Sequence, residues 1–259
     1  ALTVGHLESC LDAGSFDFVT DLAAKVPMDV ISEMLGVPQA DRARLRRASD
    51  LLVHREEGVT DVPPAGVEAA FELAVYYSEM IADRRINPGD DLVSALCQVK
   101  TDGDAVTDGD RLTDDEITSL LFLMVVAGNE TTRNAISGGL QVLCEHPEEK
   151  AKLLKDMSLL DSAIEEILRW VSPVHHMART VTADVEIRGK TLKAGDRLIM
   201  WYPSVNRDEE MFVDPYRFDI TRTPNDHLAF GIGEHFCLGS GFAKKELKVM
   251  FQELFRRFP

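Results

Sequence analysis

Phe230-Gly231-Ile232-Gly233-Glu234-His235-Phe236-Cys237-Leu238-Gly239 is the stretch on which the reading of this chain turns. An aromatic residue leads, glycines stand at 231, 233 and 239, and a cysteine sits among them. Residues 242–258 have a helical pattern, so the spacing predicts a thiol on a glycine-rich loop just ahead of a helix N-terminus. Unpaired amides and the helix dipole at such an end favour a thiolate. Glycines let the backbone come close to a flat partner. A thiolate presented this way suits a soft or borderline metal. The plainer alternative is a buried, inert cysteine that packs as a small hydrophobe.

Composition narrows the classes. There are 44 acidic residues against 28 basic ones, a formal charge of -16, which argues against a nucleic-acid partner. A chain of 259 residues with 45% hydrophobic content can bury a substantial core. The cysteines at 10, 97, 144 and 237 form no close pair and no metal-finger spacing. They read as free thiols in a reducing compartment. The N-terminal residues show no basic region followed by an apolar run, so no signal peptide is visible. The most apolar stretch, residues 120–128, is far shorter than the roughly 20 residues that span a bilayer.

Along the chain, residues 18–35 carry a helical pattern that Gly36 stops. Pro38 opens a helix bearing Arg42, Arg44, Arg46 and Arg47, read as a solvated face balanced by Asp41 and Asp50. A proline-containing loop over 58–66 precedes a helix over 67–86, which the Asn87-Pro88-Gly89-Asp90 turn ends. Residues 101–110 read as a surface loop, because they lack the ligand series of a calcium loop. Thr113-Asp114-Asp115-Glu116 is a capping box. It starts a helix running to Glu145, about 50 Å at 1.5 Å per residue.

Inside that helix stands Gly128, followed by Thr131 and Thr132. Each threonine can bond back to the carbonyl four residues earlier, which for Thr131 is Ala127. A local widening or π-like bulge is expected there. Glu130 is an acid in an apolar stretch. It serves either proton transfer or a surface ion pair. A further helix carries Glu166 and Arg169, with a start near Asp161 and Ser162 and an end at Pro173. Short strands follow around 179–181, 185–187 and 197–202. His175 and His176 point to opposite sides of an extended segment and do not suit one metal ion. The fold class is mostly α (α+β), with a small β-sheet region.

The run from Phe230 to Gly239 resembles the haem-binding signature of the cytochrome P450 family. Further segments agree, in the expected order. Val126-Ala127-Gly128-Asn129-Glu130-Thr131-Thr132 resembles the oxygen-activation stretch of the family's long central helix. Glu166-Ile167-Leu168-Arg169 resembles its Glu-x-x-Arg pair, and Asp214-Pro215-Tyr216-Arg217-Phe218-Asp219 the segment whose arginine joins that pair.

The resemblance implies the cytochrome P450 fold and a haem b (iron protoporphyrin IX) whose iron is bound by Cys237. His235 and Arg179 are implied as donors to its propionates. Phe230, Gly231, Gly239 and Ala127 complete the implied cofactor-binding set. Glu130 and Thr131 are implied in proton delivery to bound oxygen. Glu166, Arg169 and Arg217 are implied as a buried structural network. Residues 174–177 are implied along the substrate pocket. Lys244, Lys245 and Lys248 form either a docking face for an acidic ferredoxin or a solvated helix face.

The implied activity inserts one oxygen atom from O2 into an apolar small-molecule substrate resembling a steroid, branched lipid or terpene. Electrons come from ferredoxin and ferredoxin reductase, in the cytoplasm. A peroxide-driven peroxygenase is the alternative within enzymes, and would not need Glu130 and Thr131. Family members begin upstream of residue 1 and continue past residue 259 into a C-terminal hairpin. The expectation is therefore one domain over 1–259 lacking both portions. A truncated fragment that binds haem weakly and does not turn over is the remaining alternative.

Overall fold

The structure, a computed structural model, describes residues 2–11, 14–59, 61–100 and 111–258, so the loop expected over 101–110 lies outside the described residues. The chain divides into two compact units, Ala1–Arg133 and Asn134–Pro259.

The first unit is helical. It holds α1 (Leu2–Leu11), α2 (Lys25–Leu35), α3 (Gln39–Val53), α4 (Pro64–Ile86), α5 (Leu92–Gln98) and the first part of α6 (Asp114–Glu145). The helix expected over 18–35 is split: Val19–Ala23 is one π-helical turn, and α2 starts after it. Asp17 holds the start of the π turn, because its carboxylate accepts from the amides of Val19 and Thr20 at 2.9 Å each. Gly36 ends α2 with φ of 75°, as expected. A Cβ there would also lie 2.5 Å from the carboxylate of Asp91, which caps α5. α4 starts earlier than its apolar pattern, since Pro64 occupies the first turn, where its missing N–H costs nothing.

The core of this unit follows helical spacing. Leu73, Tyr77 and Ile81 of α4 repeat every four residues, as do Ile117, Leu121 and Val125 of α6, and all join one buried cluster. Burying each side chain of this size contributes about 2 kcal/mol. The α3 arginines are balanced from other elements than expected: Arg42 pairs with Glu33 and Arg44 with Glu72. Asp41 instead accepts from the Tyr76 hydroxyl at 3.0 Å, and Asp50 faces Arg133 at 3.5 Å. The capping box of α6 forms as read: Thr113 N donates to Glu116 Oε2 at 2.7 Å, and Glu116 N to Thr113 Oγ1 at 3.2 Å.

The second unit holds the end of α6, α7 (Pro147–Lys155), α8 (Leu160–Val171), β1 (His176–Thr180), β2 (Val185–Ile187), β3 (Lys190–Leu192), β4 (Arg197–Trp201), α9 (Tyr202–Val205) and α10 (Ser240–Arg257). β1 pairs antiparallel with β4, His176 opposite Trp201, and β2 with β3 in a hairpin turned at Arg188 and Gly189. The core packs α8 on α10 through Ile164, Ile167, Leu247, Met250, Phe251 and Leu254. Gly139 of α6 makes room here, since a Cβ on it would meet Ile167 and Phe251 at 2.8 Å. The start expected for α8 at Asp161 and Ser162 differs. Asp156 caps a preceding 3-10 turn at Ser158 N, and Asp161 binds Lys248 instead.

Candidate functional site

The glycine-rich loop is held by its own backbone. Gly231 and Gly233 take φ of 73° and 74°, a region that side chains with a Cβ rarely adopt. Gly231 N donates to Leu228 O, Phe236 N to Gly233 O, and Cys237 N to Phe230 O at 2.9 Å. Cys237 therefore sits where the loop closes on itself, three residues before the first residue of α10. Its thiol is free and exposed. The side chains around it in sequence are apolar yet open to solvent: Ile232 at 75%, Phe236 at 53% and Leu238 at 95%. Phe230 is half-buried, and Gly239 faces open space. His235 is exposed in the turn Gly233–His235.

Behind this loop lies a fully buried ion pair. Glu166 and Arg169 are both 0% exposed, and Arg169 Nε and an Nη each donate to Glu166 at 2.8 Å. Arg169 also donates to the carbonyls of Asn206 at 2.8 Å and Pro215 at 2.9 Å. The arginine that joins them is not Arg217. Arg217 is 61% exposed on its side chain and pairs with Asp219 at 3.6 Å, lending only its carbonyl to Arg169. Arg222 takes the place: it donates to both Glu166 oxygens at 3.2 Å and to the carbonyls of Val213, Asp214 and Arg217.

Asn206 was missed in the sequence, and it is a hub. Its amide donates to Ser172 Oγ at 2.9 Å, and its side-chain oxygen accepts Leu228 N at 2.7 Å. The network thus reaches the residues that lead into the Cys237 loop. No local pattern marks Asn206 or Arg222, because the side chains they bind, Ser172 and Glu166, lie far away along the chain.

Arg179 lies exposed on β1, and its guanidinium donates to the neighbouring Ala178 carbonyl at 2.9 Å. His175 and His176 border a concavity of ≈ 520 Å³ with Asn134, Val171 and Pro173. A larger one, ≈ 960 Å³, lies along 207–210 and takes only His175 from the expected pocket stretch 174–177. Of the α10 lysines, Lys244 pairs with Glu165 at 2.7 Å and Lys248 with Asp161 at 2.6 Å. Lys245 is exposed.

Ala127, Glu130 and Thr131 belong to the first unit. Thr131 Oγ1 donates to Ala127 O at 2.6 Å, the back-bond expected. The expected bulge is absent: α6 is regular throughout. Gly128 has a packing reason instead, since a Cβ on it would lie 2.9 Å from Ile31 Cδ1. Glu130 Oε1 is engaged by Arg133, while Glu130 Oε2 is buried without a hydrogen bond. Arg133 also faces Asp50. Burial pushes the Asp50 carboxyl up, with Arg133 pulling it down and Glu130 adding to the rise. Glu130 thus has one oxygen in an ion pair and one buried without a hydrogen bond.

The donor set decides what the loop can hold. Among the described residues no group of three or more His, Cys, Asp or Glu can hold a metal ion. A single thiolate amid exposed apolar side chains suits a metal whose other ligands come from a flat apolar macrocycle, and haem meets that description. Exposed His235 and Arg179 have the chemistry to receive its carboxylates. The residues present fit haem.

A family model described as Cytochrome P450 matches residues 72–259. The methyl-branched lipid omega-hydroxylase of Mycobacterium tuberculosis (strain ATCC 25618 / H37Rv) is 42% identical over 247 residues, 94% of this chain and 56% of its own length. The steroid C26-monooxygenase of Mycolicibacterium smegmatis is 40% identical over 257 residues, 98% of this chain and 62% of its own. Among solved structures, CYP109E1 from Bacillus megaterium in complex with corticosterone aligns with a TM-score of 0.90 at 40% identity, covering 99% of this chain and 68% of that one. The chain spans between 56% and 62% of the length of these two curated relatives. A family match over residues 72–259, with identities of 40% and 42% across nearly the whole chain, leaves one assignment: this chain belongs to the cytochrome P450 family.

Proposed function

We propose that the protein carrying this chain is a haem-thiolate monooxygenase that uses O2 to oxidise an apolar substrate. The observation that carries the reading is Cys237: an exposed thiol on a backbone-locked loop, ringed in sequence by exposed apolar side chains. Haem b bound there would supply oxygen activation, which thiolate donation favours. Cys237 would hold the iron through Sγ, with Phe230, Gly231 and Gly239 shaping the loop beneath. His235 and Arg179 would orient the propionates through charge-assisted hydrogen bonds. The two compact units would be parts of one cytochrome P450 domain.

On α6 the chain's own groups divide the proton work. Glu130 Oε2, buried and unbonded, is the atom at which a proton can be taken up and released. Arg133 restrains the other oxygen. Thr131 donates its hydroxyl proton to Ala127 O, so passing it elsewhere requires that bond to open. Ala127 would then lie against the cofactor. A peroxide-driven reaction needs neither group, so the Glu130–Thr131 pair favours O2.

The names of the relatives support a branched-lipid or steroid-like substrate. Electrons would come from ferredoxin and its reductase, with exposed Lys245 available for steering. Among the described residues no helix is long and apolar enough to cross a membrane. The cytoplasm is the proposed location. Thr131→Ala in the full-length protein tests the reading. Haem content and the substrate-binding spectrum should hold, while electrons divert from product to hydrogen peroxide. Unchanged coupling of electron use to product would contradict it.

A further inference from the structure

α8 presents two adjacent glutamates with different duties. Glu166 turns into the buried arginine network. Glu165 turns to the chain that leads into the Cys237 loop. Its Oε2 contacts His227 Nε2 at 3.0 Å, and its Oε1 contacts Lys244 Nζ at 2.7 Å. His227 is 4% exposed on its side chain. Its Nδ1 accepts from Ala229 N at 3.2 Å, so the ring proton is on Nε2 and points at Glu165. Lys244 Nζ sits 5.4 Å from the centre of the Phe230 ring, and the His227 ring lies 6.2 Å from it. Phe230 O is the acceptor for Cys237 N. Burial raises the Glu165 carboxyl, but the bonds from His227 and Lys244 outweigh it and hold the group below the ordinary glutamate value.

We infer that Glu165 is a positioning residue for the Cys237 sulfur, acting through His227 and Lys244 on Phe230. This inference rests on the reading of Cys237 as the haem ligand. Glu165 fixes both groups that flank the Phe230 ring, so it fixes where the Phe230 carbonyl sits. That carbonyl engages the Cys237 amide hydrogen, so the hydrogen is not available to another acceptor. When the clamp loosens, the amide hydrogen becomes available to the sulfur. A positive N–H dipole there withdraws electron density and favours the reduced, more negative iron centre. Loss of the clamp therefore shifts the reduction potential to more positive values and weakens thiolate ligation.

A second ion pair between the same helices supplies the control. Lys248 Nζ of α10 contacts both oxygens of Asp161 on α8, at 2.6 and 2.8 Å. It ties α8 to α10 without reaching the loop. The test uses the full-length haem protein and measures its reduction potential and the absorption of its reduced carbon monoxide complex. Glu165→Ala should move the potential positive and convert part of the red-shifted band to the unshifted form. Glu165→Gln, which keeps an acceptor oxygen, should restore part of each. Lys244→Met keeps the aliphatic stem over Phe230 and drops the charge. It should move the potential the same way by a smaller amount, and it decides the matter if Glu165→Ala fails to fold. Asp161→Ala should change neither readout. Unchanged values in Glu165→Ala or Lys244→Met, or an equal shift in Asp161→Ala, would overturn the inference. A wild-type protein without the red-shifted band would overturn the ligand reading beneath it, and this inference with it.

Discussion

The Glu166–Arg169 network and the Cys237 loop differ in how they are held. The network is fully buried, and its charges are matched by side chains and carbonyls from segments far apart in sequence. The loop is exposed, and backbone hydrogen bonds within a few residues of one another keep its shape. A buried charge is tolerated only when nearly every partner is present. An exposed loop of apolar side chains is tolerated when something else covers it. The first is a finished framework; the second is an exposed apolar surface, which the proposed function covers with a ligand. Asn206 belongs to both, since it accepts Leu228 N from the loop side and gives its carbonyl to Arg169.

Breaking the framework should have the largest effect. Arg169→Leu leaves Glu166 buried without its bidentate partner and should cost about 3–5 kcal/mol. Urea unfolding should show little folded protein, whatever haem is supplied. A cost below about 1 kcal/mol would mean that the pair is not the support described.

Glu246 of α10 sharpens the contrast, because it is half-buried with one carboxylate oxygen, Oε2, buried and without the partners that Glu166 has. Burial pushes it up to about 8, and its Oε2 makes no hydrogen bond. The folded value lies above the ordinary 4.5, so the folded state keeps a proton that the unfolded chain releases. The resulting destabilisation grows as pH rises from about 4.5 to about 8, by at most about 1.4 kcal/mol per pH unit. Glu246→Gln should therefore gain stability over wild type between pH 6 and 8, read as a widening Tm difference. A difference that does not change with pH would contradict the assignment.

The two candidate arginines separate next. Arg222→Ala removes bonds to Glu166 and to three carbonyls and should cost about 2 kcal/mol. Arg217→Ala removes an exposed pair and should stay within about 0.5 kcal/mol. Reversed magnitudes in the same unfolding assay would restore Arg217 to the network.

Legibility in the sequence followed the range of each interaction. The Thr113–Glu116 box, the Gly36 stop, the long α6 and the glycine-bearing loop are local patterns, and each formed where it was expected. The reason for Gly128 was not legible, because it is Ile31, a residue on another helix. The choice of Arg222 over Arg217 was hidden for the same reason. Both arginines follow Pro215 in irregular chain, and only the fold shows which one reaches Glu166. The candidate site splits likewise: Cys237 was marked by glycines beside it, whereas Glu165, His227 and Asn206 act on the loop from positions that no motif connects.

The central claim is that Cys237, and no other cysteine, binds the haem iron. The deciding measurement is the absorption spectrum of the reduced full-length protein under carbon monoxide, in wild type and in single Cys→Ser variants at 10, 97, 144 and 237. Cys237→Ser should lose the strongly red-shifted Soret band. The other variants should keep that band. A band that persists in Cys237→Ser, or that disappears in one of the other variants, would contradict the account.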